Sequence, residues 1–163
     1  MEVTKTKEHA WLLKLVGEWR GEGEANMGPG KPPERFVVDE TIRAIGDVWV
    51  QGEGRMSDGT PSDGTPSVTL ITLGYDPDAK RFRGTFLGSM MTYLWVYEGE
   101  LDAAGKVLTL NVDGPSMAGD GKIVKYQDIV EVMSDDHRTL TSQMQMPDGT
   151  WSRFMTAHYR RVK

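Results

Sequence analysis

Lys5-Thr6-Lys7-Glu8-His9-Ala10-Trp11-Leu12-Leu13-Lys14-Leu15-Val16-Gly17-Glu18-Trp19 is where the chain changes character. Trp11, Leu12, Leu15 and Val16 recur at helical spacing, and Lys7, Glu8 and Lys14 fall on the other side, which predicts one amphipathic helix over residues 5–16. Gly17 ends it, because glycine turns the backbone sharply at a helix C-terminus. Glu18-Trp19 then opens an extended run, with the Trp placed to plug one end of whatever the strands enclose. In that arrangement Arg160 or Arg161 of the last strand lies over the indole, a cation–π contact of about 0.5–2 kcal/mol. This is a closure device rather than chemistry.

Beyond Gly17 no second helical pattern occurs. Ten runs remain, at about 18–26, 35–45, 48–56, 67–75, 81–87, 92–101, 106–112, 122–134, 138–146 and 150–161. Turn chemistry separates them: Gly46-Asp47, Asp76-Pro77-Asp78, Gly88-Ser89, the stretch 114–121, and Pro147-Asp148-Gly149. Phe36, Val38, Glu40 and Ile42 share one face, and Leu108, Leu110 and Val112 alternate with Thr109 and Asn111, as half-buried strands do. Ten strands with short connections predict an all-β antiparallel up-and-down meander. Closing it into a barrel removes the two edges that a flat sheet exposes; a two-sheet sandwich is the alternative. Residues 1–163 form one domain, in keeping with the usual span of roughly 100–200 residues. Ser57-Asp58-Gly59-Thr60-Pro61 repeats as Ser62-Asp63-Gly64-Thr65-Pro66, so 57–66 reads as a duplicated surface loop, where added length costs little closure entropy.

Composition narrows the function classes. Lys plus Arg is 19 and Asp plus Glu is 24, a net charge of −5, and the only basic cluster is terminal: Arg160, Arg161 and Lys163. Nucleic acid is therefore not an expected partner. No run approaches the roughly 20 apolar residues of a membrane span, and residues 1–8 lack the pattern of a secretory signal, so a cytoplasmic protein with no membrane partner is expected. With no cysteine, thiolate metal sites and Cys nucleophiles are excluded.

Catalytic motifs are not met. The glycines around Ser116 are spaced one residue too far for a nucleophile elbow. Gly119-Asp120-Gly121-Lys122 is followed by Ile123, not the hydroxyl residue of a phosphate loop. His9, His137 and His158 have no metal-ligand spacing, and no metal or catalytic set is assigned. What stands out is a supply of pocket-type side chains. Trp49, Gln51 and Glu53 share one face of the third run; Tyr93, Trp95 and Tyr97 share one face of the sixth, with Met90 and Met91 at the turn before it. Aromatics and pliable methionines beside a few polar groups suit a small-molecule pocket; the same residues also serve as plain core or an oligomer face. Glu40 and Glu53, if inside, need a partner such as Arg43, Arg55 or Arg83, because an unpaired buried charge is costly.

The segments Glu8-His9-Ala10-Trp11-Leu12, Leu15-Val16-Gly17-Glu18-Trp19, Met27-Gly28-Pro29-Gly30 and Trp49-Val50-Gln51-Gly52-Glu53-Gly54 together resemble a known family. So do Thr72-Leu73-Gly74-Tyr75-Asp76-Pro77, the stretch 88–99 and Phe154-Met155-Thr156-Ala157-His158-Tyr159-Arg160-Arg161. The family is a bacterial one of domain-of-unknown-function proteins, and the resemblance implies a lipocalin-like (calycin) barrel and no particular activity. The 57–66 duplication departs from its pattern in length. Separately, Trp11-Leu12-Leu13 followed by Gly17-Glu18-Trp19-Arg20-Gly21-Glu22-Gly23 is similar to the start of nitrobindins, barrels that hold haem through a histidine near the C-terminus; that resemblance implies His158 as a haem ligand. The expected function is thus non-catalytic binding of a small, mainly apolar molecule inside the barrel, with no cofactor. The expected binding set is Glu40, Trp49, Gln51, Glu53, Met90, Met91, Tyr93, Trp95, Tyr97 and His158. Two alternatives are a haem protein using His158 and an enzyme with Glu40 or Glu53 as general acid or base. Self-association through one barrel face is a further expectation.

Overall fold

The computed structural model describes residues 1–26, 28, 30–57 and 65–163; most of the duplicated 57–66 loop lies outside the described residues. A short helix α1 (Lys7–Leu13) precedes ten strands. These are β1 (Gly17–Ala25), β2 (Glu34–Ile45), β3 (Trp49–Ser57), β4 (Ser67–Asp76) and β5 (Arg81–Gly88), then β6 (Trp95–Leu101), β7 (Val107–Pro115), β8 (Ile123–Ser134), β9 (His137–Gln145) and β10 (Trp151–Arg161). Each pairs antiparallel with its sequence neighbour, and β1 also pairs with β10, so the meander closes into a barrel. The sandwich alternative is excluded. The register that closes it sets Trp19 opposite Arg161 and Gly21 opposite Tyr159 on one side, and Gly21 opposite Val38 on the other.

Up-and-down order sorts the connections. The connections after β2, β4, β6 and β8 span two to five residues and leave the strands at the end where α1 sits; the strand ends joined after β1, β3, β5, β7 and β9, by five to nine residues, lie at the opposite end. The α1 end is plugged. Trp11, Leu12, Leu15 and Trp19 are buried, and the plug is tied to the turns around it. Trp11 Nε1 donates to the Gly105 carbonyl at 2.8 Å, Trp19 Nε1 donates to Leu15 at 2.8 Å, and Lys5 pairs with Asp47 at 2.5 Å. His9 Nδ1 accepts the Thr6 backbone N–H at 3.0 Å, so Nε2 carries the proton and donates to the Tyr75 carbonyl at 2.9 Å. A histidine that looks isolated in the sequence is a buried strut between helix and barrel.

The helix is shorter than the 5–16 expected. Leu15 N–H bonds Leu12 at 3.0 Å and Val16 N–H bonds Leu13 at 3.2 Å, so the last turn tightens to i→i+3 pairing before the chain enters β1. Gly17 makes that entry with φ of 144°, and a Cβ there would lie 2.3 Å from Arg161 Nη1. Arg161 is the clasp. Its guanidinium donates to the carbonyls of Val16 (2.6 Å), Lys14 (2.9 Å) and Asp135 (3.0 Å), and its Cζ lies 4.3 Å from the centre of the Trp19 ring. Of the two arginines expected over the indole, Arg161 takes the place.

Several inward positions are glycines whose missing side chains are replaced by a neighbour's. A Cβ on Gly114 would lie 1.9 Å from Trp95 Cζ3, so the indole occupies that site. Gly114→Ala is expected to unseat Trp95 and destabilise the fold by about 1–3 kcal/mol, the usual cost of overpacking. Thermal unfolding checks the loss, and the Trp emission spectrum checks the displacement.

Candidate functional site

Strand alternation fixes which side chains face the barrel interior. On β2 these are Phe36, Val38, Glu40 and Ile42; on β6, Trp95 and Tyr97; on β9, Arg138, Leu140, Ser142 and Met144. On β3 they are Val50, Gly52, Gly54 and Met56. The expectation for β3 is therefore corrected: Trp49, Gln51 and Glu53 face outward. Gly52 and Gly54 carry no apolar signal, so the inner face reads as interrupted between Val50 and Met56. In fact Gly52 makes room for Glu40, whose Oε2 lies 3.0 Å from where a Cβ would be, and Gly54 makes room for Thr69. Trp49 instead covers Gly74 on the outside, and Gln51 accepts from Arg43 at 2.6 Å on that same outer surface.

His158 is also corrected. It is exposed on the outer face of β10, with its Nδ1 3.0 Å from His137 Nε2. It does not point into the barrel, so the interior-haem arrangement has no histidine at that position. Desolvation, helped by Arg160 and His158, holds His137 below the ordinary histidine range. Among the described residues no group of three or more His, Asp or Glu is placed to hold a metal.

Two polar links lie inside. The first is an ion pair between Arg138 Nη2 and Glu40 Oε1, with the two side chains 8% and 11% exposed. Arg138 reaches from β9 past β10 and β1 to β2, and its Cζ lies 4.1 Å from the Tyr159 ring centre and 4.5 Å from that of Trp19. Glu40 thus has a buried partner, but not Arg43, Arg55 or Arg83. The second link is on the other side. Asp128 accepts from Ser142 Oγ at 2.5 Å and from the Tyr97 hydroxyl. Desolvation pushes the Asp128 carboxyl up, partly opposed by those two hydrogen bonds; desolvation together with Asp128 pushes Tyr97 well up, and Tyr159 is raised mainly by its burial.

A folded state that holds a proton on Asp128 more tightly than the unfolded chain gains stability below the ordinary pKa of 3.8 and loses it as pH rises through the elevated value. Relative to Asp128→Asn, the parent protein is expected to become less stable as pH rises through that window. Urea unfolding of both proteins at a series of pH values measures the difference.

The end opposite α1 is lined differently. The inward-facing Phe36, Met56, Phe86, Met144 and Met155 are only half-buried there. Trp95 stands edge-on to Tyr126 at 5.1 Å, Tyr126 to Phe154 at 6.0 Å, and Tyr93 to Trp95 at 5.0 Å. The 89–94 turn brings Met91 Sδ to 2.9 Å from Trp95 Nε1, and Tyr93 donates to the Asp113 carbonyl at 2.9 Å. Of the expected binding set, then, Glu40, Trp95 and Tyr97 face the interior and Met90, Met91 and Tyr93 stand at its rim. Sequence reasoning missed Arg138, Asp128 and Ser142; the buried polar partners come from strands far apart in sequence and leave no local pattern.

No helix among the described residues is long and apolar enough to cross a membrane. No curated protein matches the chain. Among solved structures, the crystal structure of Rv2717c from M. tuberculosis superposes with a TM-score of 0.69 at 14% identity, covering 98% of this chain and all of that one. The S-type phycobiliprotein lyase CPES from Guillardia theta gives 0.60 at 14% identity, covering 98% of this chain and 94% of that one. At these identities the likeness is one of fold. The sequence itself matches, over residues 4–161, the family described as "Protein of unknown function (DUF1579)", and the chain belongs to that family.

Proposed function

We propose that this barrel binds a small, mainly apolar molecule through its interior at the end opposite α1. The contrast between the two ends carries the reading. Trp11, Leu12, Leu15 and Trp19 bury one end, while Phe36, Met56, Phe86, Met144 and Met155 face inward at the other and are only partly buried. Aromatic rings and methionines above a few fixed polar groups suit a ligand that is apolar with one oriented polar atom. The fold likeness to a phycobiliprotein lyase supports a barrel of this kind handling a small organic molecule. No residue is assigned a catalytic role: Glu53 is outside, and Glu40 is held by Arg138.

Titration with prodan, an environment-sensitive naphthalene fluorophore, tests the reading. One saturable equivalent with blue-shifted emission is expected. A linear response with water-like emission at all protein concentrations would overturn it.

A further inference from the structure

His137 and His158 meet on the outer wall, apart from everything the binding reading uses. His137 opens β9, and His158 lies diagonally across the ladder in β10: His137 pairs with Arg160, and His158 with Thr139. His137 Nε2 and His158 Nδ1 are 3.0 Å apart, and the rings lie 27° from parallel with centres 5.3 Å apart. Between neutral rings this contact is one N–H···N hydrogen bond, and it holds two imidazole nitrogens side by side. A metal ion binds imidazole nitrogen at about 2.0–2.1 Å, so two such ligands sit about 2.9 Å apart at a right angle and about 3.3 Å apart at a tetrahedral one. The observed 3.0 Å falls between these values, so an ion between the rings needs little strand movement. Small ring rotations and one tautomer change, with the protons on His137 Nδ1 and His158 Nε2, bring both lone pairs onto it.

The donor set decides what kind of ion. Both facing ligands are imidazole nitrogens, which suit Cu²⁺, Ni²⁺ and Zn²⁺ and not the oxygen-seeking Mg²⁺ and Ca²⁺. Cu²⁺ binds such a pair most tightly of the divalent first-row ions. Desolvation, helped by Arg160 and His158, holds His137 below the ordinary histidine range, so it is neutral and able to ligate at neutral pH. The surrounding charge is mixed. Arg160 is beside His137, while Arg20, next along that row on β1, is paired with Asp39 at 3.6 Å. Glu22, directly opposite His158 on β1, and Glu131, opposite Thr139 on β8, put carboxylates on the same outer face. Among the described residues no third histidine or carboxylate joins the pair, so water completes the coordination. We propose that His137 and His158 form a two-imidazole site for a divalent transition metal, Cu²⁺ above all, on the outer wall of the β9–β10 ladder. The site is separate from the barrel interior and stands whether or not the interior takes a ligand.

The histidine count makes the test local. The chain has three histidines and no cysteine, and His9 has both ring nitrogens engaged at the α1 end. Cu²⁺ is titrated into the full chain and followed by calorimetry and by the imidazole C–H signals in proton NMR. One saturable equivalent is expected, with paramagnetic broadening of the His137 and His158 signals at substoichiometric Cu²⁺ and of His9 last. Zn²⁺ is expected to displace the copper, and Mg²⁺ to leave it in place. His137→Gln and His158→Gln, both changes on the outer surface, are each expected to weaken binding by at least roughly tenfold, because a single imidazole loses the gain of holding one ion with two linked donors. Either variant binding Cu²⁺ as tightly as the parent would overturn the proposal, as would broadening of His9 before the pair, or no saturable binding by the parent protein.

Discussion

Glu40→Ala is expected to destabilise the barrel by about 3–5 kcal/mol, far more than a surface ion pair is worth. The reason is not the strength of the pair. Arg138 is 92% removed from solvent along its side chain, given its 8% exposure, and it cannot lose its charge at any ordinary pH. Without Glu40 it keeps that charge between two aromatic rings with no anion on it. Changing both partners reverses the logic. In E40Q/R138M the desolvation penalty goes with the charges, and the expected stability is within about 1–2 kcal/mol of the parent. Equilibrium urea unfolding of the single and double variants measures both. A single variant as stable as the double one would show that water reaches the pair freely.

Trp19→Ala is expected to cost a similar amount, about 3–5 kcal/mol for a large buried aromatic. Here several contacts fail together. The indole is 3% exposed, donates to the Leu15 carbonyl, and carries Arg138 and Arg161 against its ring. Arg161 in turn holds the carbonyls that end α1 and the turn between β8 and β9. The loss should therefore be larger than for Trp49→Ala, whose ring lies on the outer surface at 42% exposure over Gly74. Thermal unfolding of the two variants side by side makes the comparison. Equal losses would mean that Trp19 does not hold the closed end together.

These two variants also mark what was legible in the sequence. The Trp19–Arg161 closure was visible because it needs only local facts: a Gly-Glu-Trp opening after a helix, a basic C-terminus, and a meander that must bring first and last strands together. The strands themselves followed from alternation and turn residues, and their observed bounds differ from the expected ones by few residues. The widest departures are at β6, which begins at Trp95 instead of about 92 because Met91 and Tyr93 fold the preceding turn against the rim, and at β7, which runs on to Pro115 instead of about 112. The interior was much less legible. The inner face of β3 is Val50, Gly52, Gly54 and Met56, and the two absent side chains at its centre break the apolar alternation, so the face of Trp49, Gln51 and Glu53 reads as the richer one. The Glu40–Arg138 pair joins residues 98 apart, and Tyr97 and Asp128 are 31 apart. Both are set by the curvature of a closed sheet, which lets inward side chains meet across strands that are not neighbours. His158 has a different cause: the nitrobindin resemblance and its place in the last strand suggest a site, and only the register with β1 and β9 shows that it faces out.

The measurement that tests the central claim most directly is a methyl NMR titration with methionine labelling. Met56, Met144 and Met155 face the interior, Met90 and Met91 stand at the rim, and Met133 is on the outer surface at 54% exposure. On addition of 2-acetylnaphthalene, the account predicts saturating shifts at Met56, Met144 and Met155, smaller ones at the rim, and none at Met133. Shifts confined to Met133 and Met1, or no saturable shift at the three interior methyls, would contradict it.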